Sequence, residues 1–577
     1  NLLYRYNLGY SLVSWGVGMK TGFRFSMSAL HTWAGLLLSG LLFAIFWTGT
    51  LSVFDKEIDR WMMPQTRINM DTAPKLSVDR DIVPLLNSLS KSATAWSIVL
   101  PSERKPFVGL GYDTKESHIA KRNSFHPVTL DQLPASNTRG ASRFIYPFHH
   151  NLTLRKSNIG AWLVGIASIG MLCLLVSGIV IHRRLFTDFF SFRVWRSFSR
   201  GNLDAHNLTG VLLLPFTLVI TLSGLMIAHL IYFPKAPDAV YEQMHPQSAA
   251  YTQKTPAKEI TPLRQKIDNK SKTPKAREGA GNSPARRRFI GESQGRVTPK
   301  ASGEFATITS IDPLITATEE ELGRGAVYMV RVSNPADAEG VIALRLSSDK
   351  SVAQNMDNRR FSVATGADLD HFESSSVTNV FNFIAGMHYV QFDHWPLRWF
   401  YFIAGLGACV LIATGLLHWT QAHNQKHDGT RFSICFMNVH NLSAVMGIIV
   451  ATGAFLVANR LFNNSVHFAG VLVRDLEVYV FFSVWMCCVL HGVIRVLINK
   501  RSGYIKAWGE QCWAIAFIAI SAVILNWLTT GDHLIKTLFK DTYWPVATID
   551  LLLISSAAIA IFAARKLSAN LKLNIGR

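Results

Sequence analysis

The stretch 30–51, "LHTWAGLLLSGLLFAIFWTGTL", and the stretch 205–226, "AHNLTGVLLLPFTLVITLSGLM", are two versions of one pattern. Each is an apolar run long enough to cross a bilayer, for which about 20 mainly apolar residues are needed. Each has a histidine near its start, a glycine four residues later, and another glycine further along: His31, Gly35 and Gly49, then His206, Gly210 and Gly224. A second correspondence follows. "FHHNLTLRKSNIGAWLVGIASIGMLCLLVSGIVIHRR" (148–184) is similar to "MHYVQFDHWPLRWFYFIAGLGACVLIATGLLHW" (387–419). The unit is therefore span, polar segment, span, and it occurs twice. "VHNLSAVMGIIVATGAF" (439–455) reads as a third, degraded start, with His440 followed by Ala444 in place of glycine.

Eight spans are expected, at roughly 27–54, 158–182, 206–232, 396–419, 438–460, 474–498, 510–529 and 545–564. The fold class is a mainly α-helical polytopic membrane protein. Its 577 residues are 49% hydrophobic and only 17% charged, with a formal net charge of +20. Much of the positive charge flanks apolar blocks, as in Arg183 and Arg184, Lys426 and Arg431, Lys500 and Arg501, and Arg565 and Lys566. Lys and Arg in short loops set membrane orientation, so both termini and these loops are expected in the cytoplasm. No nucleic-acid motif accompanies the charge. The six cysteines lie in or beside apolar blocks, which argues against a disulfide framework.

The domain plan is then an N-terminal segment with span one (1–54), a first outer domain (55–150), spans two and three (151–232), a second outer domain (233–390), span four (391–420) and a four-span extension (421–577). Short β-like runs such as "AWSIVLP", "GAVYMVRVS" and "GVIALRLS" make each outer segment a small α+β domain. Residues 252–300, rich in Lys, Arg, Pro, Gly and Ser, read as a flexible basic insert.

The histidines fall on two sides. His31 and His206 stand at the cytoplasmic entrances of spans one and three. His149 (or its neighbour His150) and His388 stand just before spans two and four, on the outer side. A two-fold arrangement of the repeat brings like ends together and makes one histidine pair near each membrane face. Two neutral imidazoles from different helices can hold a b-type haem. Gly35 and Gly210, on the same helix face as their histidines, would let a flat porphyrin approach. A lone histidine at a helix end is ordinarily interfacial. Four at repeat-equivalent positions in costly apolar surroundings argue for function. His182 and His418, and His440 and His491, are further candidates for a third haem or a quinone site. Arg24, or Arg183 and Arg184, at the inner face, and Arg155 or Arg398 at the outer, are candidates to meet haem propionates, with topology anchoring as the alternative role.

Other chemistry is absent from the sequence. There is no glycine-rich dinucleotide fingerprint, no phosphate-binding loop, no nucleophile elbow and no HExxH. The cytoplasmic loops are short, far below the 100 or so residues of a nucleotide-binding domain. Electrons are therefore expected from a membrane quinol or a separate cytoplasmic reductase.

The repeat motifs resemble the PepSY-associated transmembrane helix family, which takes in PiuB-type iron-regulated membrane proteins and a FoxB-like ferrisiderophore-reductase branch. The stretches that carry the resemblance lie between residues 24 and 420. The resemblance implies PepSY-like folds for the two outer, periplasmic domains and a bacterial inner-membrane location. For the reductase branch it implies haem-dependent reduction of a ferric siderophore or other ferric chelate in the periplasm. The family's motif histidines fall on His31, His149, His206 and His388. The insert 252–300 and the extension 421–577 depart from the family's four-span pattern. Two rival readings predict differently: a non-catalytic PepSY-type sensor, and a siderophore or metal transporter, neither of which needs haem.

Overall fold

The computed structural model describes residues 22–68, 76–90, 92–114, 121–182, 198–233, 235–236, 243, 299–426, 432–462, 467–468, 470–539 and 543–575. The insert 252–300 lies outside these residues except for its last two, and so do the loop arginines Arg183 and Arg184.

Among the described residues, seven helices are long and apolar enough to cross a membrane. A bent helix pair, third in chain order, makes an eighth crossing if the pair is one span. The core helices are α1 (Phe23–Ser52), a short α2 (Asp55–Met62), α3 (Val83–Leu89), α4 (Tyr146–Asn151) and α5 (Ile159–Ile181). Then come α6 (Phe198–Leu212) and α7 (Leu214–Ile227), which meet at 63°. Pro215 in the first turn of α7 explains the bend. It has no N–H to give, and its ring would strike the carbonyl one turn earlier. The corresponding position in α1 is Gly40, and α1 runs through it without a break.

The core closes with α8 (Asp312–Leu322), α9 (Ser376–Tyr389) and α10 (Trp395–Lys426). The extension adds α11 (Phe432–Leu442), α12 (Ile448–Phe462), α13 (Val473–Thr530) and α14 (Trp544–Ile575). A five-residue π-helical turn, Ser443–Gly447, joins α11 to α12. Helix α13 folds back on itself and supplies two crossings, Val473–Ile498 and Gly503–Thr530. The Gln511 side chain reaches the Cys488 carbonyl at 3.0 Å. In a straight helix those residues would stand roughly 35 Å apart.

The two polar segments share one sheet. Their strands β1 (Ala93–Val99), β2 (Val108–Thr114), β3 (Lys121–Phe125), β4 (Val327–Ser333), β5 (Val341–Leu346), β6 (Asn358–Ser362) and β7 (Asp368–Phe372) form a single antiparallel sheet in the order β3-β2-β1-β4-β5-β6-β7. Where two separate outer domains were expected, β1 of the first segment pairs with β4 of the second, Ser97 opposite Arg331. Alternate side chains, among them Trp96, Ile98, Val330, Val332, Ile342 and Leu344, pack with Ile82, Leu86 and Ile311 from the helical elements. The union removes the open edge each half would present alone. The two halves also cap each other. The Asp312 carboxylate accepts from the Val78 N–H at 2.8 Å, and the Asp79 carboxylate accepts from the Ile311 N–H at 2.8 Å and the Asp312 N–H at 2.9 Å. These reciprocal contacts mark a pseudo-two-fold axis through the β1–β4 pair.

The extension breaks that symmetry by packing beside α1, α2 and α10. The Trp47 indole donates to Thr452 at 3.0 Å, the Trp61 indole to Asp550 at 2.8 Å, and Arg67 pairs with Asp532 at 2.7 Å.

Candidate functional site

The pseudo-two-fold axis brings equivalent histidines together. The His31 and His206 rings lie 6.3 Å apart between centroids, at 79° to one another. The His149 and His388 rings lie 6.0 Å apart at 29°. The first pair sits at the membrane end remote from the sheet, the second at the end beside it. His31 and Ile45, which contacts His149, are fourteen residues apart on α1, about 20 Å along the helix axis.

Each ring is seated on a neighbouring helix. His31 Nδ1 meets the Leu174 carbonyl at 3.1 Å and Ser177 Oγ at 3.0 Å. His206 Nδ1 meets the Leu411 carbonyl at 2.8 Å, and His149 Nδ1 the Ile45 carbonyl at 2.8 Å. His388 Nδ1 lies 3.0 Å from Ser223 Oγ and also bonds the Ile220 backbone. Four residues after each of these carbonyls comes a glycine: Gly178, Gly415, Gly49 and Gly224. A helical carbonyl already accepts from the N–H four residues on, and its second lone pair is normally shielded by that residue's side chain. Glycine removes the shield and lets the imidazole in. A Cβ would stand 2.7 Å from His149 Cε1 at Gly49, 2.8 Å from His388 Cε1 at Gly224 and 2.9 Å from His206 Cε1 at Gly415. At Gly178 the contact with His31 would be an ordinary 3.5 Å.

This seating decides the tautomer. A carbonyl oxygen only accepts, so Nδ1 carries the proton and Nε2 keeps a lone pair. The serines agree, because the Ser177 hydroxyl donates within its own helix to the Cys173 carbonyl at 2.7 Å and the Ser223 hydroxyl to the Val219 carbonyl at 2.7 Å. Their oxygens are left to accept. Such a carbonyl or hydroxyl behind a histidine orients the ring and raises its basicity as a metal ligand.

The arrangement fits a metal that brings its own equatorial ligands. With metal–nitrogen bonds of about 2 Å, two imidazoles on opposite sides of one ion have centroids roughly 6 Å apart. Among the described residues no group of three or more His, Cys, Asp or Glu could hold a bare ion. Two facing imidazoles from different helices would suit a macrocycle such as haem.

The remaining candidates are placed as follows. His150 is exposed and lies against the Tyr146 ring, 5.2 Å between centroids, so His149 is the inward member of that doublet. His182 meets Asn207 at 2.9 Å, and His418 is half-buried on α10. His440 packs against Gly40, and His491 pairs with Glu510 at 2.8 Å. Gly35 and Gly210 face Leu174 and Leu411, 3.7 and 3.4 Å from where a Cβ would stand. Those are the residues whose carbonyls hold His31 and His206, so these glycines admit a neighbouring helix on that side instead of an open plane. Arg24 donates to the Ile181 carbonyl at 2.6 Å, and Arg155 is exposed. Arg398 is fully buried and committed to Glu57 at 3.2 Å and to the Val53 carbonyl, which takes it away from a propionate role.

The seat glycines went unassigned in the sequence reading, although Gly49 and Gly224 belong to the repeat. Their signal is a hydroxyl residue followed by glycine inside a span: Thr48-Gly49, Ser177-Gly178, Ser223-Gly224 and Thr414-Gly415.

Fold and site together define a polytopic helical membrane protein whose repeated halves meet at two histidine pairs, under a sheet built jointly by both halves. Residues 28–422 match the model of the PepSY-associated TM region, and the chain belongs to that family. No curated protein matches the chain.

Proposed function

We propose that this protein is a haem-b oxidoreductase of the bacterial inner membrane, which passes electrons outward to reduce a ferric siderophore or other ferric chelate on the sheet side. The observation that carries the reading is the pair of facing imidazoles at each end of the helix core, each ring with Nδ1 tied to a neighbouring helix. His31 and His206 would hold one haem and His149 and His388 the other. Bound haem supplies one-electron ferric/ferrous chemistry.

The chain's own residues do the rest. The carbonyls of Leu174, Leu411 and Ile45, with Ser223 Oγ, fix the four tautomers and present Nε2 as the ligand atom. Helices on both sides of each pair hold the ring spacing at which a haem would be bound. Leu42, Ile45, Ala167, Met171 and Leu175 pack the level between the pairs and keep charge out of it. The ferric chelate is substrate: one electron converts it to the more weakly held ferrous form, with no protein nucleophile required. On this reading the sheet faces the periplasm and both termini the cytoplasm, an orientation that the basic short loops favour.

The test is optical. Protein purified after expression with haem supply should give a Soret band and a reduced-minus-oxidised α band of b type. Oxidised ferric chelate should reoxidise the dithionite-reduced sample within the mixing experiment. A preparation with no Soret band ends the reading.

A further inference from the structure

The four-span extension holds a group of buried polar atoms that the haem pairs do not use. Asn441 is fully buried, and its amide nitrogen donates to Thr420 at 2.6 Å. Its Oδ1 has no hydrogen-bond partner, and neither do Tyr504 Oη, Trp508 Nε1 and Gln511 Oε1. Tyr504 Oη lies beside Thr420 and Trp508, both within its hydrogen-bonding reach. Tyr504, Trp508 and Gln511 are spaced i, i+4, i+7 and share one face of the second limb of α13. On the residue before Asn441, His440 Nε2 is buried and unpartnered against Gly40. Buried polar atoms left under-partnered at the junction of α10, α11 and α13, inside a membrane, are costly. A π-helical turn begins two residues after Asn441, and such turns recur at functional sites.

Two further facts say what the junction is for. Thr420 stands five residues after Gly415, the seat of His206, and on a different side of α10. The junction is thus separated from the inner histidine pair by about one helix diameter, roughly 10 Å. Gln511 also reaches His491 Nδ1 at 3.4 Å, while His491 Nε2 meets Glu510 at 2.8 Å and Glu510 pairs with Arg495. Those three side chains are about one-third exposed. A polar path therefore runs from the buried orphans to a half-exposed titratable triad.

Resting on the haem reading above, we propose that this junction binds the headgroup of a membrane quinol and is where electrons enter. Tyr504 and Trp508 hydrogen-bond the quinone oxygens, and Asn441 Oδ1 accepts from a quinol hydroxyl. The quinol is oxidised to quinone, losing two electrons and two protons. The electrons leave one at a time through the His31–His206 pair and end on two ferric chelates, each reduced to ferrous. The two protons are released on the side of the partly exposed His491 and Glu510 and pass from there to water.

The test uses the full chain in lipid nanodiscs. Equilibrium binding of decyl-ubiquinone is measured by quenching of tryptophan fluorescence, and haem reduction by decyl-ubiquinol is followed in a stopped-flow spectrophotometer. Tyr504→Phe, and Tyr504→Phe combined with Asn441→Leu, should each weaken quinone binding, and the double variant should slow quinol-driven haem reduction at least tenfold. Haem content and the dithionite-reduced spectrum should stay as in the wild type, which separates loss of the site from misfolding. Wild-type quinone binding and reduction rate in both variants overturn the proposal and leave the junction a site for ordered water only. A haem-free preparation ends the haem reading instead, and the binding arm still decides whether the junction takes a quinone.

Discussion

At the scale of single residues, the seat glycines control the histidines. Gly415 and Gly178 serve the same pair and differ in clearance: a Cβ would stand 2.9 Å from His206 but 3.5 Å from His31. The His206 ring cannot retreat without losing its 2.8 Å bond to the Leu411 carbonyl. On the proposed haem reading, Gly415→Ala should therefore empty the site at the remote pair, lowering pyridine-haemochrome content per protein to about half, while Gly178→Ala stays near wild type. Equal haem content in the two variants would show that the seats are only packing. Another residue-scale device lies outside the spans. Asp59 on α2 is half-buried, and this partial burial pushes its carboxyl up to about 6, with the neighbouring Asp55 adding to the rise against the pull of Lys56. A carboxyl raised in the folded state binds more protons there than in the unfolded chain between about pH 4 and pH 6, so its contribution to stability falls as pH rises through that window. At pH 7.5 Asp59→Asn should raise the thermal midpoint of the solubilised protein by roughly 2–4 °C. The gain should shrink as pH falls from 6 and be absent below 4. A gain that persists at pH 4 would mean the charge is not its source.

At the scale of elements, the spans were legible because the bilayer demands long apolar runs, and the break at Pro215 is written in its residue type. The joining of the outer segments was not. Residues that pair as Ser97 and Arg331 are separated by more than two hundred positions, and an edge strand and a central strand of an antiparallel sheet carry the same alternation. Arg398 was equally opaque. Before a span, an arginine reads as an anchor or a propionate partner, and only packing shows its true neighbour. Glu57 on α2 lies between Arg104 of the β1–β2 turn, at 3.0 Å, and Arg398 of α10, at 3.2 Å, with almost no exposure. This carboxylate ties the sheet to the membrane core. Glu57→Gln leaves the fully buried Arg398 guanidinium without its anion and Arg104 with only Asp55 at 3.5 Å, and should cost about 3–5 kcal/mol, measured as a lower thermal midpoint and earlier proteolysis of the sheet. An unchanged midpoint would show that Arg104 and Arg398 find other partners.

At the scale of the whole molecule, one pseudo-two-fold axis relates the reciprocal caps of Asp79 and Asp312, the β1–β4 pair and both histidine pairs. On the proposed haem reading its consequence is that the two centres would stand in series, about 20 Å of helix rise apart. The histidine motifs alone showed which residues were equivalent, since the HxxxG spacing recurs. Which equivalent partners face each other depends on the axis, and that is a property of the sheet and the helix packing together. The series arrangement is tested in sealed vesicles with reductant trapped on the His31–His206 side and ferric chelate outside. The wild type should reduce the external chelate. His206→Leu should keep one haem, reducible by added dithionite, and lose reduction across the membrane. His388→Leu should also lose it, yet its remaining haem should still become ferrous from the trapped reductant. That asymmetry distinguishes a relay from two independent centres: if either variant retains full transmembrane reduction, electrons do not pass from one pair to the other.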